Sequence, residues 1–238
     1  ALVTRYRDHP GLGAYDVWNE CNYPSAVCYC PATVADFRAW LRERYDDLRA
    51  VAEAWRHYSL ETWEDVVPPR QLGPYPDTLD WLAFRIDNAY EQMRWRVDLI
   101  RELDPDHPVT AHGVGGSLRG MATQTRHAWR AAEMVDGYGL TWVACRKGDE
   151  PWKLWHGVDL TRAAARGKEF WHAEAQGGPL WLQPQVIGRP REDGRIPGPE
   201  DLRLWHLTSF AAGARGLLYP RWRPLLDGPL FGTRSEER

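Results

Sequence analysis

Apolar positions along this chain recur with two alternating periods, one helical and one strand-like. Val34, Phe37, Leu41, Tyr45 and Leu48 fall three or four apart, which predicts an amphipathic helix opening at Thr33 and running to about Asp47. Asp36, three residues after Thr33, is a weak capping-box partner. A short helix is expected over 50–56. A long one follows from a cap at Asp77 or Thr78, with the stripe Leu79, Leu82, Ile86, Tyr90, Met93, Val97 and Ile100. Further helices are predicted over 121–135, 160–166 and 200–213, and residues 2–8 read as a helix end. Between them lie five short apolar runs: 14–19, 108–112, 136–142, 169–174 and 216–222. Prolines break the chain at Pro68, Pro69, Pro74 and Pro76. A Pro/Gly-rich stretch of roughly twenty residues, 176–198, is long enough to cover a site.

Strand and helix thus alternate without hairpin signals, and such alternation specifies an α/β fold with a parallel sheet covered by helices. Two of the runs end in an acid: Ala14-Tyr15-Asp16-Val17-Trp18-Asn19-Glu20 and Glu169-Phe170-Trp171-His172-Ala173-Glu174. A carboxylate at the C-terminal end of a parallel strand faces the side where α/β barrels build active sites. Two of them can flank one glycosidic bond. Asn19 can donate an amide N–H beside Glu20. His172, two residues before Glu174, is expected on the same face one layer deeper, tuning that acid or filling the barrel. Strand ends also carry Trp142, His112 and Trp222, and the long loop carries Trp181; these are candidate sugar contacts. His112 reads first as a satisfied histidine in the core or behind the site, and as a ligand second.

Composition narrows the picture only a little. The chain has 238 residues, 43% hydrophobic and 26% charged, with a net charge of −3. That charge gives no argument for nucleic acid or an anionic membrane, and no apolar run reaches the roughly 18 residues of a membrane span. Trp is the outlier at 14 copies, which suits core packing first and sugar stacking second. Cys21, Cys28, Cys30 and Cys145 are too unevenly spaced for a disulfide framework, so a reduced, cytoplasmic setting is expected, without a signal peptide.

Several stretches, in order along the chain, resemble the catalytic barrel of glycoside hydrolase family 42, the β-galactosidases. Arg5-Tyr6-Arg7-Asp8-His9-Pro10 with Val17-Trp18-Asn19-Glu20 resembles its fourth strand and Asn-Glu motif. Cys28-Tyr29-Cys30-Pro31 and Phe37-Arg38-Ala39-Trp40-Leu41 resemble the segment after it. Phe170-Trp171, Glu174, Gln176, Gly178 and Pro179 resemble the seventh strand, and 213–223 the eighth. The resemblance implies a partial TIM (β/α)8 barrel covering roughly strands 4 to 8. Residues 1–238 would then be a single fragment with an expanded helical insertion at about 31–104. It implies a retaining glycosidase acting on terminal β-D-galactosides, with Glu20 as acid/base and Glu174 as nucleophile. Asn19 would hold the 2-hydroxyl, no cofactor is used, and the full-length parent is a possible trimer. The truncated chain itself is expected to be inactive. Alternatives are another barrel glycosidase of the clan (arabinoside, glucoside or mannoside) and a non-catalytic carbohydrate-binding barrel. Family members commonly have Asp where Trp18 stands, and Trp18 is expected to face away from the sugar. Some members hold zinc with cysteines near this region. Here only Cys28 and Cys30 match, Thr33 stands at a third position, and no metal site is expected.

Overall fold

The computed structural model describes residues 1–21, 28–71, 75–114, 120, 125–142, 151–175 and 198–219. Five strands form one sheet: β1 (Tyr15–Asp16), β2 (Val109–Val114), β3 (Gly137–Trp142), β4 (Glu169–Ala175) and β5 (Gly216–Leu217). They lie in sequential order and every neighbouring pair is parallel. A parallel sheet that never reverses its strand order is an arc of a barrel, whereas a doubly wound sheet has a switch point. The helices are α1 (Leu2–Tyr6), α2 (Pro31–Arg44), α3 (Leu48–Trp55), α4 (Pro76–Leu103), α5 (Ala128–Met134), α6 (Pro151–Ala165) and α7 (Pro199–Ala211). None of the described helices is long and apolar enough to cross a membrane.

Helices cover one face of the sheet. Val109, Ala111 and Tyr138 pack with Tyr90, Met93 and Val97 of α4 and with Ala131 and Ala132 of α5. Further along, Leu140, Trp142 and Phe170 pack with Leu154 and Val158 of α6 and Trp205 of α7. The register puts His112, Gly139, Trp171 and Gly216 on the opposite face. Glycine is required at two of these places. A Cβ at Gly139 would come within 2.7 Å of the Trp171 carbonyl, and one at Gly216 would meet the Trp171 indole.

Between β1 and β2 the chain builds a third core. Phe37 and Leu41 of α2, Val51 and Trp55 of α3, and Trp81 and Phe84 of α4 are buried together with Val66. Their rings lie edge-on or stacked, Phe37 with Trp81 at 5.0 Å and Phe84 with Trp81 at 5.3 Å. Aspartates on α4 accept from three polar groups at the edge of this aromatic cluster. Asp80 accepts from the Tyr45 hydroxyl and from Trp55 Nε1, each at 2.7 Å. Asp87 accepts from Trp40 Nε1 at 2.8 Å and is paired with Arg130 of α5, tying this core to the barrel helices. Because burial and the adjacent Asp80 both disfavour a phenolate, the Tyr45 pKa rises to about 12.

The stripe expected for the long helix holds only over its second half. Tyr90, Met93 and Val97 are buried, whereas Leu79 is exposed. The first half turns Trp81 and Phe84 inward instead, because α4 packs against α2 and α3 there and against the sheet only later. The expected strand 14–19 is ordered as sheet only at Tyr15–Asp16, and the short helix at 160–166 begins earlier, at Pro151.

His172 is also placed differently from the expectation of a shared face with Glu174. Pairing runs Leu140↔His172 and then Thr141↔Glu174, so Ala173 is an extra residue, a β-bulge. His172 therefore faces the helices, fully buried. Its Nδ1 lies 2.8 Å from Ser209 Oγ and its Nε2 lies 3.2 Å from the Trp142 carbonyl. A neutral ring satisfies both by accepting the hydroxyl proton at Nδ1 and donating from Nε2. Burial pulls its pKa down to about 4.

Two predictions follow from these contacts. Asp80→Ala strands two donors and is expected to cost about 2–3 kcal/mol in urea denaturation, whereas Asp80→Asn, which keeps an acceptor, loses less than half of that. For His172, the unfolded ring protonates near 6.5 and the folded ring near 4, so between these values the unfolded chain binds the extra proton. Stability should fall on the order of 3 kcal/mol as pH drops through that window. His172→Gln should flatten this part of the stability-versus-pH curve.

Candidate active site

The bulge in β4 carries Glu174 onto the face opposite the helices. Thr141 Oγ1, its partner across the register, donates to Glu174 Oε2 at 3.1 Å. Glu174 is half-buried, as is Glu20. Glu20 lies just beyond β1, with φ of 60°, in the left-handed region that a non-glycine residue enters at a cost of order 1 kcal/mol. Asn19 beside it is exposed. Trp18 packs against Tyr90 at 5.8 Å and beneath the Arg96 guanidinium, so it faces the helices as expected for a packing residue.

The two glutamates meet electrostatically at His112. Its imidazole, on β2, binds Asp16 of β1 through Nδ1 at 2.6 Å. Burial opposes a charge on this ring. The Asp16 hydrogen bond and charge, followed by the charges of Glu174 and Glu20, outweigh burial and hold its pKa above the ordinary histidine value. His112 Nε2 is covered by protein and has no hydrogen-bond partner among the described residues. The site therefore draws on four strands: Glu20 and Asp16 from β1 and its end, His112 from β2, Thr141 from β3 and Glu174 from β4.

Two of these residues, Asp16 and Thr141, were not singled out from the sequence. Their signal was strand alternation, since Asp16 pairs in register with Thr110 and so shares a face with His112. Arg126 was also missed. It is half-buried, burial lowers its pKa, and the charge of Glu20 counters that effect.

Trp142, expected as a sugar platform, is corrected by the structure. It sits in the helix-facing core, 6% exposed, with its ring 2.9 Å from where a Cβ on Gly157 would lie. Strand alternation puts it on the face away from Glu174. Trp181 and Trp222, with Arg221, Arg223 and Cys145, lie outside the described residues. Cys28 and Cys30 are exposed and unpaired, while Cys21 is buried in the core with Tyr138. Hydrogen bonds from the Thr33 hydroxyl and backbone bring the Cys30 thiol down to about 7. Among the described residues no three His, Cys, Asp or Glu side chains group as metal ligands.

Comparison with known proteins bears on the family and the fold. Residues 1–228 match the glycoside hydrolase family 42 model, described as beta-galactosidase. A beta-galactosidase of Halorubrum lacusprofundi is 30% identical over 249 residues, covering 95% of this chain and 34% of that protein. Beta-galactosidase bgaB of Geobacillus kaustophilus is 27% identical over 236 residues, covering 94% of this chain and 32% of that protein. The solved H. lacusprofundi structure superposes with a TM-score of 0.77 at 28% identity, over 96% of this chain and 35% of that one. The chain thus spans about a third of the length of the curated relatives it matches. With the match running over nearly all of its residues and a five-stranded arc of the barrel in place, the chain belongs to glycoside hydrolase family 42.

Proposed function

We propose that the protein carrying this chain is a retaining glycosidase that removes terminal β-D-galactosyl groups by double displacement. The observation that carries the proposal is the pair Glu20 and Glu174, at the ends of β1 and β4 of a family 42 barrel arc, both acting on the one buried His112. Glu174 is the nucleophile. Thr141 holds its Oε2, which leaves the other oxygen to attack the anomeric carbon. As that bond forms, the bond to the leaving oxygen breaks and Glu20 gives that oxygen its proton. Water then attacks the anomeric carbon, Glu20 takes the proton from the water, and Glu174 is released as carboxylate. Retention by this route calls for carboxyl groups about 5–5.5 Å apart.

Asn19, exposed beside Glu20, is proposed to hold the sugar 2-hydroxyl, and Trp222 and Trp181 to stack on sugar faces. No cofactor is required. Unpaired Cys21, Cys28 and Cys30 support a reducing, cytoplasmic setting, and family resemblance supports a trimer for the full-length protein. A closed barrel needs eight strands, so turnover is assigned to the protein carrying this chain with its barrel completed, and the chain alone is proposed to be inactive.

In that full-length protein, Glu174→Ala should abolish nearly all hydrolysis of nitrophenyl β-galactoside, and azide should restore turnover with a glycosyl azide of inverted configuration. Ordinary activity in Glu174→Ala would refute the assignment. Thr141→Val should lower kcat roughly tenfold, about 1.4 kcal/mol of transition-state stabilisation, with retention unchanged in the product.

A further inference from the structure

Away from the carboxylates, the described residues hold a close pair of nucleophilic side chains, Cys28 and Cys30. Both are exposed and unpaired, and one residue separates them. That residue, Tyr29, is anchored inward. Its hydroxyl donates to the Pro69 carbonyl at 2.9 Å, its ring stacks on Trp81 at 5.6 Å, and the Arg70 guanidinium sits 4.3 Å over it. Cys30 has extended backbone, with φ of −66° and ψ of 159°. Side chains alternate along an extended chain, so the anchored tyrosine leaves both thiols on the opposite, solvent side. Two residues apart, their Cα atoms lie within roughly 7 Å, against the roughly 4.4–6.8 Å that a disulfide spans.

The two sulfurs are not equivalent. Cys30 is the N-cap of α2, a helix of 14 residues, where backbone N–H groups and the helix dipole favour an anion. Thr33 Oγ1 lies 3.4 Å from Cys30 Sγ and donates to it once the thiol ionises. Hydrogen bonds from Thr33, and then the Cys28 thiol, bring the Cys30 pKa down to about 7. A thiol that ionises near ambient pH is the most effective attacker of a disulfide. Cys21 is the contrast: it is buried in the core with Tyr138, and burial pushes its thiol well up. Two thiolates do not close a tetrahedral metal site, so the pair stays open to reagents.

We propose that Cys28 and Cys30 are a reversible thiol–disulfide pair, Cys30 the attacking sulfur and Cys28 the resolving one, oxidised by a low-molecular-weight disulfide of the glutathione type. The Cys30 thiolate attacks one sulfur of the reagent, whose S–S bond breaks and expels one thiolate. Cys28 then loses its proton to solvent and attacks Cys30 Sγ, which forms the internal S–S bond and expels the second thiolate. Two protein thiols are oxidised and one reagent disulfide is reduced to two thiols, which take up the two protons that the cysteines released. Closing the ring draws the two Cα atoms together against the anchored Tyr29. The resulting disulfide is strained and exposed, which makes it easily reduced again, the behaviour of a regulatory rather than a structural bond.

The test uses the full-length protein, reduced, freed of reductant and then exposed to glutathione disulfide at pH 7. By mass spectrometry, the peptide holding Cys28 and Cys30 should lose two hydrogens and regain them with dithiothreitol, and Cys21→Ala should give the same result. Cys28→Ser should trap Cys30 as a mixed disulfide with glutathione. Cys30→Ser should react at Cys28 at least about tenfold more slowly. In the Cys28→Ser background, Thr33→Val should slow alkylation of Cys30 by iodoacetamide roughly threefold at pH 7. The proposal is overturned if the peptide keeps both thiols, if it carries glutathione without closing the internal bond, or if the two-hydrogen loss disappears in Cys21→Ala. Equal rates at Cys28 and Cys30, or an unchanged rate in Thr33→Val, would overturn Cys30 as the attacking sulfur.

Discussion

One extra residue in β4 determines where Glu174 stands. Up to His172 the strand pairs regularly with β3, and its even positions face the helices. Without Ala173 as an inserted residue, Glu174 would follow Phe170 and His172 into the helix layer. There a carboxylate would lie among Trp205, Leu154 and Val158, at a desolvation cost that no neighbour offsets. The bulge instead turns Glu174 onto the interior face, where Thr141 donates to it. The same shift leaves His172 behind as a neutral, hydrogen-bonded filler, with its ring anchored on Ser209. Bulges recur beside active sites because they re-aim one side chain without dismantling the sheet.

Around that strand the sheet keeps its inner face open through small residues. Gly139 lets the Trp171 carbonyl and the Cβ atoms of Ala173 and His112 approach, and Gly216 admits the Trp171 indole. The outer face is filled by large residues that meet the helices. The cost of the bulge and of the left-handed Glu20 is therefore carried by a layer packed well enough to hold both in place.

Most of the described tryptophans pack in the cores. Trp55 and Trp81 are buried in the core between β1 and β2, Trp142 and Trp205 behind β3 and β4, and Trp18 rests on α4. In the core between β1 and β2, α4 supplies acceptors for three of the donors, Asp80 for Tyr45 and Trp55 and Asp87 for Trp40. A long helix that serves two cores cannot keep one straight apolar stripe, which is why its first half departs from the simple periodic reading.

The alternation of strand and helix, the parallel sheet and the two glutamates at strand ends were legible in the sequence, because period and strand ends are local properties. The family likeness was legible for the same reason, in motifs that stay contiguous along the chain. What could not be read locally was which side of a strand a residue takes after an irregularity. Simple alternation placed His172 on the face of Glu174, and its place at a strand end made Trp142 a candidate platform; both assignments fail because pairing with a neighbouring strand sets which face each takes. The Asp16–His112 pair joins residues 96 apart in the chain, so only the register of β1 against β2 could bring them together. The sequence by itself determined the elements and the acids that end them. The tertiary structure decided which faces those acids share, because facing depends on hydrogen-bond register between strands and a single inserted residue reverses it.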